Sequence, residues 1–91
     1  MHKVLLVDDE YMITEGLKVL IPFEKWNMEV VATANDAEEA LDYVKNHPVD
    51  LVITDVNMPN VTGIDFISQA KELGQDFAFI FVSGYQEFEY V

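Results

Sequence analysis

Four short apolar runs punctuate the chain, and helical patterns fill the gaps between them. Val4–Val7 is continuous apolar sequence, as in a strand buried on both faces. Met28 to about Thr33 is a second, valine-rich run. Asp50–Thr54, built on Leu51-Val52-Ile53, is the third, and Ala78–Val82 the fourth. After Glu10, residues Ile13, Leu17 and Leu20 recur at helical spacing until Pro22 interrupts. Asp36 with Glu39 three residues on is a capping-box variant. It opens a helix with the stripe Ala37, Ala40, Leu41 and Val44, which Asn46-His47-Pro48 ends. After the loop from Asp55 to Gly63, a third helix is expected to turn Ile64, Ile67, Ala70 and Leu73 inward, with Gly74 past its end. A fourth helix is expected from Gln86. This β-α-β-α-β-α-β order predicts an α/β fold, a doubly wound parallel sheet with helices on both faces. Ninety-one residues make one domain.

In such sheets, ligands sit outside the carboxyl ends of the strands, where strand order reverses. Strand one ends in Asp8-Asp9, strand three in Asp55 and strand four in Ser83-Gly84, whereas strand two offers only Thr33, Ala34 and Asn35. Taken singly, each is an ordinary strand-end or helix-cap residue. Taken together, if strands one and three are neighbours, three carboxylates meet in one place. They stay ionised there only with a cation among them, and hard oxygen ligands without His or Cys select Mg²⁺. His2 and His47 stand apart and are not read as ligands. Tyr11, Phe23, Trp26, Tyr43 and Phe66 read as core or ordinary surface, and Glu24-Lys25 as a solvated loop.

Charge narrows the partners. Seventeen acidic residues face five basic ones, all lysine, for a net charge of -12. Phosphate-backbone binding needs clustered cations, so direct contact with nucleic acid is not expected, nor with an anionic membrane. The chain has no cysteine, and its apolar runs are too short to span a bilayer. A cytoplasmic location is expected.

The stretches Val4-Leu5-Leu6-Val7-Asp8-Asp9-Glu10, Asp50-Leu51-Val52-Ile53-Thr54-Asp55-Val56-Asn57-Met58-Pro59, Gly63, and Phe81-Val82-Ser83-Gly84-Tyr85 resemble the receiver domain of two-component response regulators. The resemblance runs in register through all 91 residues. It implies the CheY-like strand order 2-1-3-4, followed in the family by a fifth strand. It implies that Asp55 accepts a phosphoryl group from a sensor histidine kinase. Asp8 and Asp9 would hold Mg²⁺ with Asp55 and the backbone carbonyl of Asn57. Ser83 would be the switch hydroxyl, Tyr85 would lie near the responding segment, and Pro59 and Gly63 would shape a loop. The domain would catalyse at most its own phosphorylation and dephosphorylation. It would switch an output domain outside this chain, and the stretch from Ser83 to Tyr90 resembles receivers that precede a helix-turn-helix DNA-binding output.

Receivers also carry a fifth strand and helix, with a lysine after that strand. None of this can be assigned before Val91, so residues 1–91 read as a receiver incomplete at its C-terminal side. Phe77–Val82 has no polar face and would then form an exposed sheet edge, so self-association through strand four is expected. Two other readings stay open. A haloacid-dehalogenase-type phosphatase also uses an Asp after a strand, but would want an acid where Asn57 stands. A receiver-shaped interaction module need not be phosphorylated at all.

Overall fold

The computed structural model describes residues 1–55, 63–74 and 76–82. Four parallel strands, β1 (His2–Val7), β2 (Met28–Ala34), β3 (Leu51–Asp55) and β4 (Ala78–Val82), form one sheet in the order β2-β1-β3-β4. Three helices link them: α1 (Tyr11–Leu20), α2 (Ala37–Asn46) and α3 (Gly63–Glu72). Strand order reverses between β1 and β3. Because crossovers in parallel sheets keep one hand, that reversal sends α1 to one face and α2 and α3 to the other.

The central strand explains the two-sided core. Val4, Leu5, Leu6 and Val7 are all buried, and alternate residues feed opposite faces. Leu5 and Val7 join Val52 of β3, Ala40 and Val44 of α2, and Phe66 of α3. Val4 and Leu6 join Ile53 and Phe23, with Leu17 and Ile21 packed against them. Phe23 lies in a short 3-10 turn, Phe23–Trp26, whose far end, Asn27, adopts a left-handed φ of 59°. The Asn27 carbonyl accepts a bond from the His2 amide, so this turn sets where β1 begins.

Local signals place the helix ends. The Asp36 side chain accepts a bond from the Glu39 amide at 2.8 Å, and Glu39 in return accepts from the Asn35 amide at 2.7 Å. This satisfies backbone donors that the first helical turn leaves unpaired. Gly74 follows α3 with φ 83°, the left-handed conformation that glycine adopts without strain. At the opposite end of the sheet Asp50 ties three strands. Its amide donates to the Lys3 carbonyl, its carboxylate accepts from the Lys3 amide, and its carbonyl accepts from Ala78.

Three expectations need correction. In α3 the inward stripe is Phe66, Ile67 and Ala70, while Ile64 is 56% exposed and Leu73 also faces outward. Ile64 lies on the side of the helix away from Phe66 and Ala70, and Leu73 falls beyond the helix end at Glu72. In α1, Leu17 packs on the sheet and Thr14 is buried, but Ile13 and Leu20 are exposed, Leu20 by 79%. Thr14 can face inward because its hydroxyl donates to the Tyr11 carbonyl at 2.9 Å. Finally, β3 runs one residue later than the apolar run indicates and includes Asp55.

Phe66→Ala should therefore cost about 3–5 kcal/mol, the range for a buried aromatic truncated to a cavity. Ile64→Ala should stay within about 1 kcal/mol of the parent, as exposed positions do. Urea unfolding of the two variants checks the assignment, and equal losses would restore Ile64 to the inward stripe.

Candidate functional site

The reversal of strand order sets the carboxyl ends of β1 and β3 side by side. Val7 is in register with Thr54, so the next residues, Asp8 and Asp55, leave neighbouring strands at the same level. Asp9 follows Asp8 before α1 begins. The outcome is a group of three carboxylates whose nearest ligand oxygens all lie within 4.8 Å of one another. Asp8 is buried, Asp55 half-buried and Asp9 exposed, so the cluster opens to solvent on one side.

Backbone bonds hold the deepest member. The Asp8 amide donates to the Ala34 carbonyl of β2 at 3.0 Å, and its Oδ1 accepts from the Glu10 amide at 2.8 Å. The second bond pins the carboxylate against the chain as it turns into α1. Burial is the main force on its protonation and pushes the carboxyl up from 3.8 to about 6. The Glu10 bond works against that rise, and the charges of Asp55 and Asp9 add to it.

Unit charges 4.8 Å apart repel by about 3.5 kcal/mol at an effective dielectric near 20. Either a proton or a cation relieves this repulsion. All three donors are hard carboxylate oxygens. Oxygens bridged by one octahedral Mg²⁺ lie roughly 3–4 Å apart, so small side-chain rotations would bring this set together. The residues present fit that ion.

Asn57, Ser83, Tyr85 and Pro59 lie outside the described residues, as does the helix expected from Gln86. Neither histidine approaches the cluster. His47 stacks on Tyr43 with ring centroids 4.4 Å apart, and His2 lies 3.9 Å from Asp50 at the far end of the sheet. One residue beside the cluster escapes a sequence reading. Thr54 is fully buried, and its hydroxyl donates to the Asp55 carbonyl at 3.2 Å. The available signal is a hydroxyl within an apolar run, immediately before a strand-end acid.

The raised Asp8 value carries a sign for stability. Its folded value exceeds its ordinary 3.8, so its stabilising contribution is complete below that pH and is lost as pH rises through about 6. In chelator at pH 7, Asp8→Asn should be more stable than the parent by about 1–3 kcal/mol. The gain should shrink to a small fraction near pH 4. Urea unfolding at both values checks this, and a pH-independent difference would mean that Asp8 is not strained by ionisation.

Comparison with known proteins agrees with this geometry. The family model for the response regulator receiver domain matches residues 4–91. The transcriptional regulatory protein HptR of Staphylococcus aureus is 41% identical over the whole chain. The chain spans about a third of the length of the curated relatives it matches, 35% in that case. The receiver domain of AraT, a response regulator from Geobacillus stearothermophilus, superposes with a TM-score of 0.82 at 42% identity, covering 98% of this chain and 69% of that one. The crystal structure of the CheX–CheY–BeF3–Mg²⁺ complex from Borrelia burgdorferi matches with a TM-score of 0.80 at 30% identity, covering 99% of this chain and 67% of that one. With the sheet order, the switch-point carboxylates and these likenesses in hand, the chain belongs to the response regulator receiver family of two-component systems.

Proposed function

We propose that this chain is a phosphoacceptor switch, with Asp55 taking a phosphoryl group from a phosphohistidine of a sensor histidine kinase. The observation that carries the proposal is the convergence of Asp8, Asp9 and Asp55 within 4.8 Å at the point where strand order reverses. A carboxylate oxygen of Asp55 attacks phosphorus in line with the departing imidazole nitrogen. The new O–P bond forms as the P–N bond breaks, and the nitrogen keeps the electron pair and takes a proton. Asp55 is suited to this because it ends a strand and so points from a rigid base. Asp8 and Asp9, with Asp55 and the backbone carbonyl of Asn57, would hold Mg²⁺, which when bound neutralises and orients the phosphoryl oxygens. Asp8 is held in its place by the Glu10 amide. The Ser83 hydroxyl would donate a hydrogen bond to one phosphoryl oxygen.

The Borrelia burgdorferi complex, crystallised with BeF3 and Mg²⁺, supports the same ligand pair for this chain. The phosphoryl group adds about 1.5–2 negative charges. Segments able to satisfy its oxygens then shift their populations. The likeness to a transcriptional regulatory protein supports a DNA-binding output, of helix-turn-helix type, outside this chain. A net charge of -12 assigns DNA contact to that output rather than to the receiver. Among the described residues no helix is long and apolar enough to cross a membrane. As the acceptor of a sensor kinase's phosphoryl group, the domain would work in the cytoplasm. The domain acts as a substrate of its kinase and as a switch, not as a turnover enzyme.

A second copy of the chain is also a proposed partner. On β4, Phe79 and Ile80 are exposed on opposite faces, Ile80 by 51%. Lys71 covers part of one face, with its ammonium 4.8 Å from the Phe77 ring and 5.8 Å from Phe79. Edge pairing would bury the remainder.

Three outcomes are expected. Acetyl phosphate with Mg²⁺ should add one phosphoryl group by intact mass to the full-length protein, and Asp55→Asn should abolish the addition. Undiminished labelling of that variant would move the site. Mg²⁺ should raise the melting temperature, and Asp9→Asn should weaken the gain. An identical response from both proteins would remove Asp9 from the site. For the 91-residue chain, light scattering over a dilution series should show dimers or larger species. A monomer at high concentration would exclude the β4 contact.

A further inference from the structure

We infer that Thr54 is a positioning residue for phosphoryl acceptance, its hydroxyl holding the backbone of Asp55 so that the carboxylate stays aimed at its donor. The inference rests on the role proposed for Asp55.

Thr54 occupies an unusual place for a hydroxyl. It is wholly inaccessible to solvent, and on β3 it is flanked by Val7 on one side and Phe81 on the other. Strand alternation puts its side chain on the same face as Val52, where Leu5, Val7 and Phe66 build the larger core. Valine would fill the same space without a polar atom to satisfy. The hydroxyl finds its partner in the carbonyl of the next residue, Asp55, at 3.2 Å.

That carbonyl sits at the last residue of β3. Pairing between β1 and β3 ends at Val7 with Thr54. Asp55 is one residue further, in register with Val82 of β4. Rotation of the backbone at the Asp55 carbonyl would swing the carboxylate relative to Asp8 and Asp9. A bond from a buried, rotamer-restricted threonine to the Asp55 carbonyl opposes this rotation. The base of the bond lies in the packed core, so the restraint is stiff. In-line attack on phosphorus depends on how much of the time the nucleophile is aligned. Removing the restraint should therefore slow labelling while leaving packing intact.

Two pairs of substitutions isolate the hydroxyl in the full-length protein. Parent and Thr54→Val differ by the hydroxyl at constant shape. Thr54→Ser and Thr54→Ala differ by the hydroxyl at smaller volume, so the second pair still decides the matter if the valine variant does not fold. Labelling by acetyl phosphate with Mg²⁺ is followed by intact mass, and urea unfolding is measured alongside. Thr54→Val is expected to label about three- to tenfold more slowly than the parent, with an unchanged unfolding midpoint. Thr54→Ser is expected within about twofold of the parent and well above Thr54→Ala. Equal rates within each pair would overturn the inference, as would a serine variant as slow as the alanine one. Absence of labelling in the parent would instead overturn the role of Asp55, and this inference with it.

Discussion

Mutual repulsion among Asp8, Asp9 and Asp55 is the constraint around which this end of the molecule is organised. Carboxylates whose oxygens lie within 4.8 Å of one another, one of them buried, do not assemble by preference. They are brought together because β1 and β3 are adjacent parallel strands in register, ending at the same level. The strands are adjacent because their apolar residues are buried on both sides, and that burial outweighs the local electrostatic cost. The sheet thus stores an unfavourable charge arrangement that a cation or a proton relieves. Burial is the larger part of the lift of Asp8 to about 6, and the charges of Asp55 and Asp9 add to it.

The same logic explains how the site is kept in shape. Bonds to backbone groups hold Asp8 through the Glu10 amide and the Ala34 carbonyl. Thr54 extends the pattern to Asp55 from within the core. These restraints use no cationic side chain. That fits a chain with five lysines scattered over 91 residues, of which Lys18 pairs with Glu15 and Lys71 lies over Phe77 and Phe79.

Much of this arrangement is legible in the residues. The Asp36–Glu39 cap and Gly74 each carry a local physical signal and lie where that signal puts them, while the Val4–Val7 run marks the buried part of a strand that begins two residues earlier, at His2. The acidic cluster is legible because alternating strands and helices imply a switch point, and the acids fall at the ends of the strands beside it. Other features depend on tertiary packing and leave no local trace. Helical spacing alone cannot choose between Ile64 and Phe66 for the core side of α3, since both lie on apolar arcs; the shape of the space beside β3 and α2 decides for Phe66. In α1 the pattern of Ile13 and Leu20 is equally apolar, yet buried Thr14 sets which side faces the sheet. The register shift between Val4 and Leu5, which leaves Val31 as an extra residue on β2, also has no sequence marker.

The most direct measurement of the central claim is the ionisation of Asp8 itself. Carbon-13 detection of the side-chain carboxyls would follow Asp8 through a pH titration, with and without Mg²⁺. Asp8 should titrate near 6 in the metal-free protein, and saturating Mg²⁺ should move it well below the usual carboxylate range. An Asp8 that titrates near 4 in both conditions would exclude this picture of the site, because its carboxylate would then be neither disfavoured by burial beside two like charges nor relieved by a shared cation.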